Sequence, residues 1–196
     1  MKKIIFATAN EGKLKEIRTI LKDTGLEVIS MEEAGITEEI EETGKTFEEN
    51  AVIKAMALGK LSDAIVMADD SGLEIDFLDG EPGIYSARYA GEDTPYSIKN
   101  QLILDRMKEA EGEARSARFV CAIAAVFPDG RVLTTRGTIE GHIAKEPSGD
   151  NGFGYDPIFY VKEYGCTTAS LPMDLKNELS HRGKALREMK EKLQSI

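Results

Sequence analysis

MKKIIFATANEGKLKEIRTILKDTGLEVIS, residues 1–30, decides the fold class. Residues 2–8 are β-branched and aromatic enough to read as a strand, and Ala9-Asn-Glu-Gly12 reads as a turn. Residues 13–22 place Leu14, Ile17, Ile20 and Leu21 on one face, which predicts an amphipathic helix ending near Gly25. Residues 26–30 predict a second strand. Strand, helix and strand in that order make a β-α-β start, which points to the α/β class. Outward from this unit, Thr46-Phe-Glu-Glu49 fits a capping box, and Phe47, Ala51, Ala55 and Leu58 give the helix it opens a buried stripe. Residues 64–68 form a short apolar strand running into Asp69-Asp-Ser-Gly72, and residues 73–78 can continue as a strand before the turn at 79–83. Thr94 and Pro95 open a helix over 95–110. Residues 117–127 and 131–139 flank Pro128-Asp-Gly130 and predict a hairpin. A loop rich in Pro, Gly, Asn and Asp covers 146–156, and 158–161 is a short strand. Ser180 can cap a last helix with Leu186, Met189, Leu193 and Ile196 on one face. The expectation is an α/β fold: a mixed sheet flanked by helices, one domain over residues 1–196, with any cleft lying between lobes.

Composition narrows the function. The 196 residues are 41% hydrophobic and 31% charged, an ordinary globular balance. A net charge of −10 disfavours a general nucleic-acid binder and docking on an anionic membrane. The longest apolar run is Val120-Cys-Ala-Ile-Ala-Ala-Val-Phe127, eight residues, too short for a membrane span. The apolar stretch after Lys3 is too short for a signal peptide. Only Cys121 and Cys166 are present, with no Cys-x-x-Cys, which points to a reducing cytoplasm and leaves one disulfide open.

Five segments carry candidate chemistry. Thr8-Ala-Asn-Glu-Gly-Lys13 leads from a strand into a helix, whose free amides and Lys13 attract phosphate. The alternative is a plain capped turn with a solvent lysine. Gly44-Lys-Thr46 resembles the end of a P-loop, but Glu39 stands where the pattern needs glycine. Asp69-Asp70-Ser71-Gly72 ends an apolar strand, where α/β proteins place ligands. Adjacent carboxylates on an extended chain point to opposite sides and so do different jobs: one to bind Mg²⁺, one to orient or deprotonate water. The alternative is an Asx turn. The acidic stretch ending Glu41-Glu42-Thr43-Gly44 could add a metal-binding carboxylate. Ser148-Gly-Asp-Asn-Gly-Phe-Gly-Tyr-Asp156 has three glycines that let backbone approach a ligand, while Phe153 and Tyr155 offer flat faces for a base. In Lys176-Asn-Glu-Leu-Ser-His-Arg182, His181 and Arg182 can donate to a carbonyl oxygen, which suits a 6-oxo purine. His142 stands far from His181, which disfavours a zinc enzyme.

Taken together, the set resembles the inosine/xanthosine triphosphate pyrophosphatases, the Ham1-like enzymes, in their bacterial form. The matching pieces are Thr8–Lys13, Glu42-Thr-Gly-Lys-Thr-Phe-Glu-Glu-Asn50 through Lys54, Ala68-Asp-Asp-Ser-Gly72, Pro82-Gly-Ile-Tyr-Ser-Ala-Arg88, Gly152-Phe-Gly-Tyr-Asp156 and Ser180-His-Arg182, in family order. The resemblance implies Mg²⁺-dependent hydrolysis of dITP, ITP and XTP to the monophosphate and pyrophosphate. It implies an elongated two-lobed α/β fold with a central substrate cleft, and a homodimer. Thr8, Ala9, Asn10, Glu11, Gly12 and Lys13 should contact substrate, Asn10 and Lys13 holding the phosphates with Lys54 assisting. Glu42 and Asp70 should bind Mg²⁺, with Asp69 a further candidate, and Asp70 matches the family position assigned as proton acceptor. Ser71 should contact substrate and Arg88 should lie near it. Phe153, Gly154, Tyr155, Asp156, Lys176, His181 and Arg182 should form the base pocket. Two rival readings are a Maf-like pyrophosphatase for pyrimidine or modified nucleotides and a non-catalytic nucleotide-binding module. The −10 charge thus excludes a long polyanion but not one triphosphate met by Lys13, Lys54, Lys176 and Arg182.

Overall fold

The computed structural model describes residues 2–8, 10–38 and 40–195. The expectations for Ala9 and for Ile196 lie outside the described residues. The elements run β1 (Lys2–Phe6), α1 (Glu11–Leu21), β2 (Leu26–Ser30), α2 (Phe47–Gly59), β3 (Ile65–Ile75), α3 (Tyr96–Arg106), β4 (Ser116–Val126), β5 (Val132–Ile143), β6 (Phe159–Val161), β7 (Cys166–Thr167), α4 (Met173–Leu179) and α5 (His181–Gln194). One seven-stranded mixed sheet has the order β2-β1-β3-β4-β5-β6-β7. Its β2-β1-β3 side is parallel, with Ile4 opposite Val28 and Ile65. Its β5-β6-β7 side is antiparallel. The α/β class and the β-α-β opening are as the sequence implies.

The chain divides into two compact units. The first comprises Met1–Ser71, Cys121–Gly137 and His181–Ile196. Its core gathers Ile4 and Phe6 of β1, Ile17 and Leu21 of α1, Met67 of β3, Ile123 of β4 and Leu186 and Met189 of α5. The second comprises Gly72–Val120 and Thr138–Ser180. Its core gathers Leu73 and Ile75, Ile103 and Met107, Phe119, Ile143, Ile158 and Phe159. Both cysteines are free, Cys121 buried among the first set.

Local chemistry sets the element ends, and it corrects several expectations. Helix α1 begins at Glu11, because Asn10 Oδ1 accepts from Lys13 N at 3.0 Å and caps it. Gly12 therefore stands in the first helical turn, not in a β-α turn. Thr46 caps α2 as expected: its Oγ1 accepts from Glu49 N at 3.1 Å, and Glu49 Oε2 accepts from Lys45 N. Strand β3 does not stop at Ala68 but continues to Ile75, so Asp69-Asp70-Ser71-Gly72 lies in the strand interior. Helix α3 ends at Arg106, short of Ala110. Met107 N turns back onto Ile103 O and Leu104 O, and Arg115 takes the carbonyls of Met107 and Ala110 at 2.8 and 3.0 Å. Strand β5 passes Ile139 to reach Ile143, since His142 and Ile143 pair with Tyr160 and Phe159. Helix α4 was not legible: seven residues are too few to show a period. Ser180 closes it through Ser180 N→Lys176 O at 2.9 Å, and α5 starts at the next residue.

Candidate active site

The first cluster is built on the part of β3 up to Ser71, α1, α2 and the first turn of α5, all in the first unit. Asp69 is 1% exposed. Lys13 Nζ stands 3.0 Å from its Oδ2, and Arg182 Nε is 3.5 Å from the same oxygen. Lys54 donates to the Asp69 backbone carbonyl at 2.6 Å and pairs with Glu42 Oε1 at 2.6 Å. Arg182 is itself buried, bonded to Glu16 of α1 and to Ser71 Oγ. Burial opposes the charge on Asp69, yet Lys13, Arg182 and Lys54 hold its carboxyl well below the usual carboxylate range. Burial likewise opposes the charges on Lys54 and Arg182, and their neighbouring carboxylates win in both cases. The segment is extended because β3, which lies between β1 and β4 in the sheet, runs unbroken from Ile65 to Ile75.

Asp70 points to other partners. Its Oδ2 accepts from Asn50 Nδ2 at 3.0 Å and its Oδ1 from Ser71 N at 3.0 Å. Burial raises its pKa to about 6, against Lys54 and Asn50 and with Glu42 adding to the rise. The two carboxylates therefore differ: cations outweigh burial at Asp69, whereas burial outweighs Lys54 and Asn50 at Asp70. Asn50 is fully buried on α2, and its Oδ1 accepts from Gly44 N at 2.8 Å. That bond ties the loop after Glu42 to Asp70. A Cβ on Gly44 would lie 2.6 Å from Asn50 Oδ1, so this approach needs glycine.

A strand and a turn orient the entry to the cluster. Thr8 Oγ1 accepts from Asn10 N at 3.1 Å, so the turn before α1 is satisfied locally. The capped-turn alternative holds for Asn10, but Lys13 turns inward to Asp69 instead of lying in solvent. On β5, a Cβ on Gly137 would come within 2.1 Å of His181 O, and Thr135 Oγ1 donates to Ala185 O at 2.9 Å. These contacts seat the first turn of α5, and with it His181 and Arg182, against the sheet.

A second cluster lies within the second unit. The Asp156 carboxylate accepts from Lys176 Nζ at 2.8 Å, Phe153 N at 2.8 Å and Thr168 Oγ1 at 2.8 Å. Lys176 Nζ also stands 4.9 Å over the Phe153 ring. Gly152, at φ +76°, leaves no room for a Cβ beside Asp156 Oδ2. Asp156 thereby fixes the loop that presents Phe153. Tyr155 corrects its expectation. It is buried, its hydroxyl donates to Ser86 O at 2.7 Å, and its ring meets Tyr96 edge-on at 5.2 Å. A buried phenol needs that acceptor, so its face is not offered to a ligand. Gly154 stands beside it with φ +69°. Arg88 lies with its guanidinium 5.8 Å from the Tyr85 ring centroid.

Comparison with known proteins now bears on these clusters. The model of the Ham1 family matches residues 4–192. The chain belongs to the Ham1 family. A dITP/XTP pyrophosphatase of Bacillus subtilis (strain 168) is 51% identical over 195 residues, covering 100% of this chain and 98% of that protein. A dITP/XTP pyrophosphatase of Clostridium perfringens is 49% identical over 202 residues, covering 100% and 99%. Among solved structures, a HAM1 protein from Coxiella burnetii aligns with a TM-score of 0.91 at 41% identity, covering 100% of each chain. The Staphylococcus aureus Ham1 protein gives 0.89 at 42%, covering 99% of each.

Within this Ham1-family chain, the structure brings together Lys13, Glu42, Lys54, Asp69, Asp70, Ser71 and Arg182. It separately brings together Phe153, Asp156 and Lys176. Two participants carried no assigned role in the sequence. Asn50 lies on the same face as Ala51 and Phe47, and a polar residue on an apolar stripe was the available signal. Glu16 is a buried acid between Leu14 and Ile17, and its partner Arg182 is 166 residues away. No local pattern could have paired them.

Proposed function

We propose that this chain is a Mg²⁺-dependent nucleoside-triphosphate pyrophosphatase that hydrolyses deaminated purine nucleotides (dITP, ITP and XTP) to the monophosphate and pyrophosphate. The observation that carries the reading is the division between Asp69 and Asp70. One is held ionised among Lys13, Lys54 and Arg182; for the other, burial outweighs Lys54 and Asn50 and its pKa is raised. Membership of the Ham1 family and the names of its close relatives support the substrate class.

The residues fit a divalent cation. Glu42 adds to the cost of ionising Asp70, and Asp69 Oδ1 is buried with no hydrogen-bond partner among the described residues. Magnesium takes hard oxygen donors, one or two carboxylates with water and phosphate completing the shell. Glu42 and Asp70 would hold it, with Asp69 behind them, and when bound it would neutralise charge on the phosphates. Lys13 and Lys54 add positive charge for the triphosphate, next to the turn at Thr8, Asn10, Glu11 and Gly12. Arg182 holds Asp69 and Ser71 in place. Asp70 accepts the proton of a water whose oxygen attacks phosphorus, and the bond between the first and second phosphates breaks, releasing pyrophosphate. Most of the catalysis is positioning and electrostatics.

Base choice is assigned to the second cluster, with Phe153 as the flat face and Asp156 and Lys176 fixing its loop. His181, in the first unit, is by itself proposed as a donor for a 6-oxo group. Donors that face the amino group of adenine would be left unpaired, at about 1–3 kcal/mol each. We assign the protein to the cytoplasm as a homodimer forming one domain. Its free cysteines fit a reducing compartment. Among the described residues no helix is long and apolar enough to cross a membrane.

The test is a nucleotide panel with Mg²⁺. Rates on ITP and XTP should exceed those on GTP, ATP and UTP by at least tenfold. A preference for UTP would transfer the chain to a Maf-like activity. Tight ITP binding without turnover would make it a binding module. A chelator should abolish the rate, and restored Mg²⁺ should recover it.

A further inference from the structure

Helix α3 carries two adjacent buried polar residues that neither cluster uses. Lys99 is 1% exposed and Asn100 4%. Lys99 Nζ donates to Ala87 O at 2.5 Å and lies 4.9 Å over the Tyr96 ring. No carboxylate pairs with it among the described residues, and burial lowers its pKa with only Glu92 opposing. Asn100 Nδ2 donates to Gly154 O at 3.2 Å, and its Oδ1 has no hydrogen-bond partner among the described residues. Both side chains are expensive to bury in this way, and leucine or methionine would fill the same volume without the cost. Their placement is explained by what they hold.

Each reaches a different loop. Lys99 grips the segment that carries Arg88, and Asn100 grips the loop that carries Phe153. Tyr155 closes the triangle, since its hydroxyl bonds Ser86 O and its ring abuts Tyr96 of the same helix. Ser86 is locked in turn by its Oγ, which accepts from Leu73 N and donates to Gly83 O. The Gly154 carbonyl has one neighbour on each side that matters: Phe153, which faces Lys176, and Tyr155, which is anchored. A helix dipeptide thus fixes two loops at their backbone carbonyls.

We infer that Asn100, with Lys99 beside it, is a positioning residue: it sets the Gly154 carbonyl, and so the Phe153 ring, for recognition of the nucleotide base. The inference rests on the proposed pyrophosphatase reading for the identity of the ligand, but not for the mechanical link.

The experiment uses Asn100→Leu, with Gln101→Leu on the exposed side of α3 as the control. Amide exchange of the peptide covering residues 152–156 should quicken in Asn100→Leu and not in the control. Melting temperature should change little, because the variant removes one unpaired acceptor, Asn100 Oδ1, and leaves another, the half-buried Gly154 carbonyl. KM for ITP should rise roughly 10- to 100-fold while kcat changes less than about threefold. Unchanged exchange at 152–156 overturns the inference. Faster exchange with unchanged KM also overturns it, by uncoupling the loop from the base. If Asn100→Leu does not fold, Asn100→Ala, which removes the donor without adding a titratable group, is judged by the same two readouts. If the wild type proves inactive on every nucleotide, the functional reading fails by itself and the exchange result alone decides the link.

Discussion

Asp69 and Asp70 are one residue apart and chemically opposite. Alternation along β3 sends them to different partners, and those partners set their charge. Asp69 meets Lys13 and Arg182, whereas Asp70 meets an amide and a backbone N–H. The pKa of Asp70, raised to about 6 from 3.8, has a consequence for the metal-free protein. A carboxyl with a raised folded pKa binds its proton more tightly folded than unfolded. Folding is therefore penalised in full above about pH 6, and the penalty fades as pH falls toward 4. Asp70→Asn removes it. The variant should be more stable than wild type by about 3 kcal/mol at pH 8, with the gap closing near pH 4, as read from denaturant midpoints. Its turnover should fall by about 10²- to 10⁴-fold, the range expected for loss of a general base. A variant less stable than wild type at pH 8 would contradict the charge assignment. Gain of stability with loss of activity is the signature of a group kept for chemistry.

At the scale of elements, the helices matter for what their first turns present. Asn10 and Thr46 cap α1 and α2; the capping box at Thr46 was legible in the sequence, whereas the start of α1 at Glu11 was not. The apolar stripes of α1, α2 and α5 were equally readable, because period 3.6 survives over three turns. What escaped was set by contacts distant in sequence. Strand β3 runs on through Asp69–Gly72, where the Asp69 carboxylate meets cations from α1 and α5, and the early end of α3 goes with Arg115. The inward turn of Tyr155 depends on Ser86, 69 residues before it. The seating of α5 gives a direct test. A methyl group added at Gly137 of β5 would lie 2.1 Å from the His181 carbonyl oxygen, which cannot yield as a flexible side chain would. Gly137→Ala should cost about 1–3 kcal/mol of stability by overpacking. It should also reduce activity through displacement of Arg182. Gly130→Ala, at the β4–β5 turn where a Cβ meets nothing, serves as the contrast: its φ of +85° strains the turn, so stability falls while kcat stays near wild type. Equal activity losses in both would detach α5 from the site.

For the whole molecule, an acidic chain handles an anion by local placement of charge. The net charge of −10 is spread over the molecule, whereas Lys13, Lys54 and Arg182 converge on Asp69 within the first unit. Ordered motifs across nearly the full length carried the family resemblance, and the family match over residues 4–192 agrees with it. Acting as proposed, the Asp69–Asp70 cluster cleaves the triphosphate between its first and second phosphates. The product balance from ITP and Mg²⁺ decides this, with pyrophosphate, orthophosphate and nucleotide products quantified in one reaction. One pyrophosphate should appear per IMP, with no IDP and no orthophosphate; orthophosphate and IDP in equal amounts would contradict it.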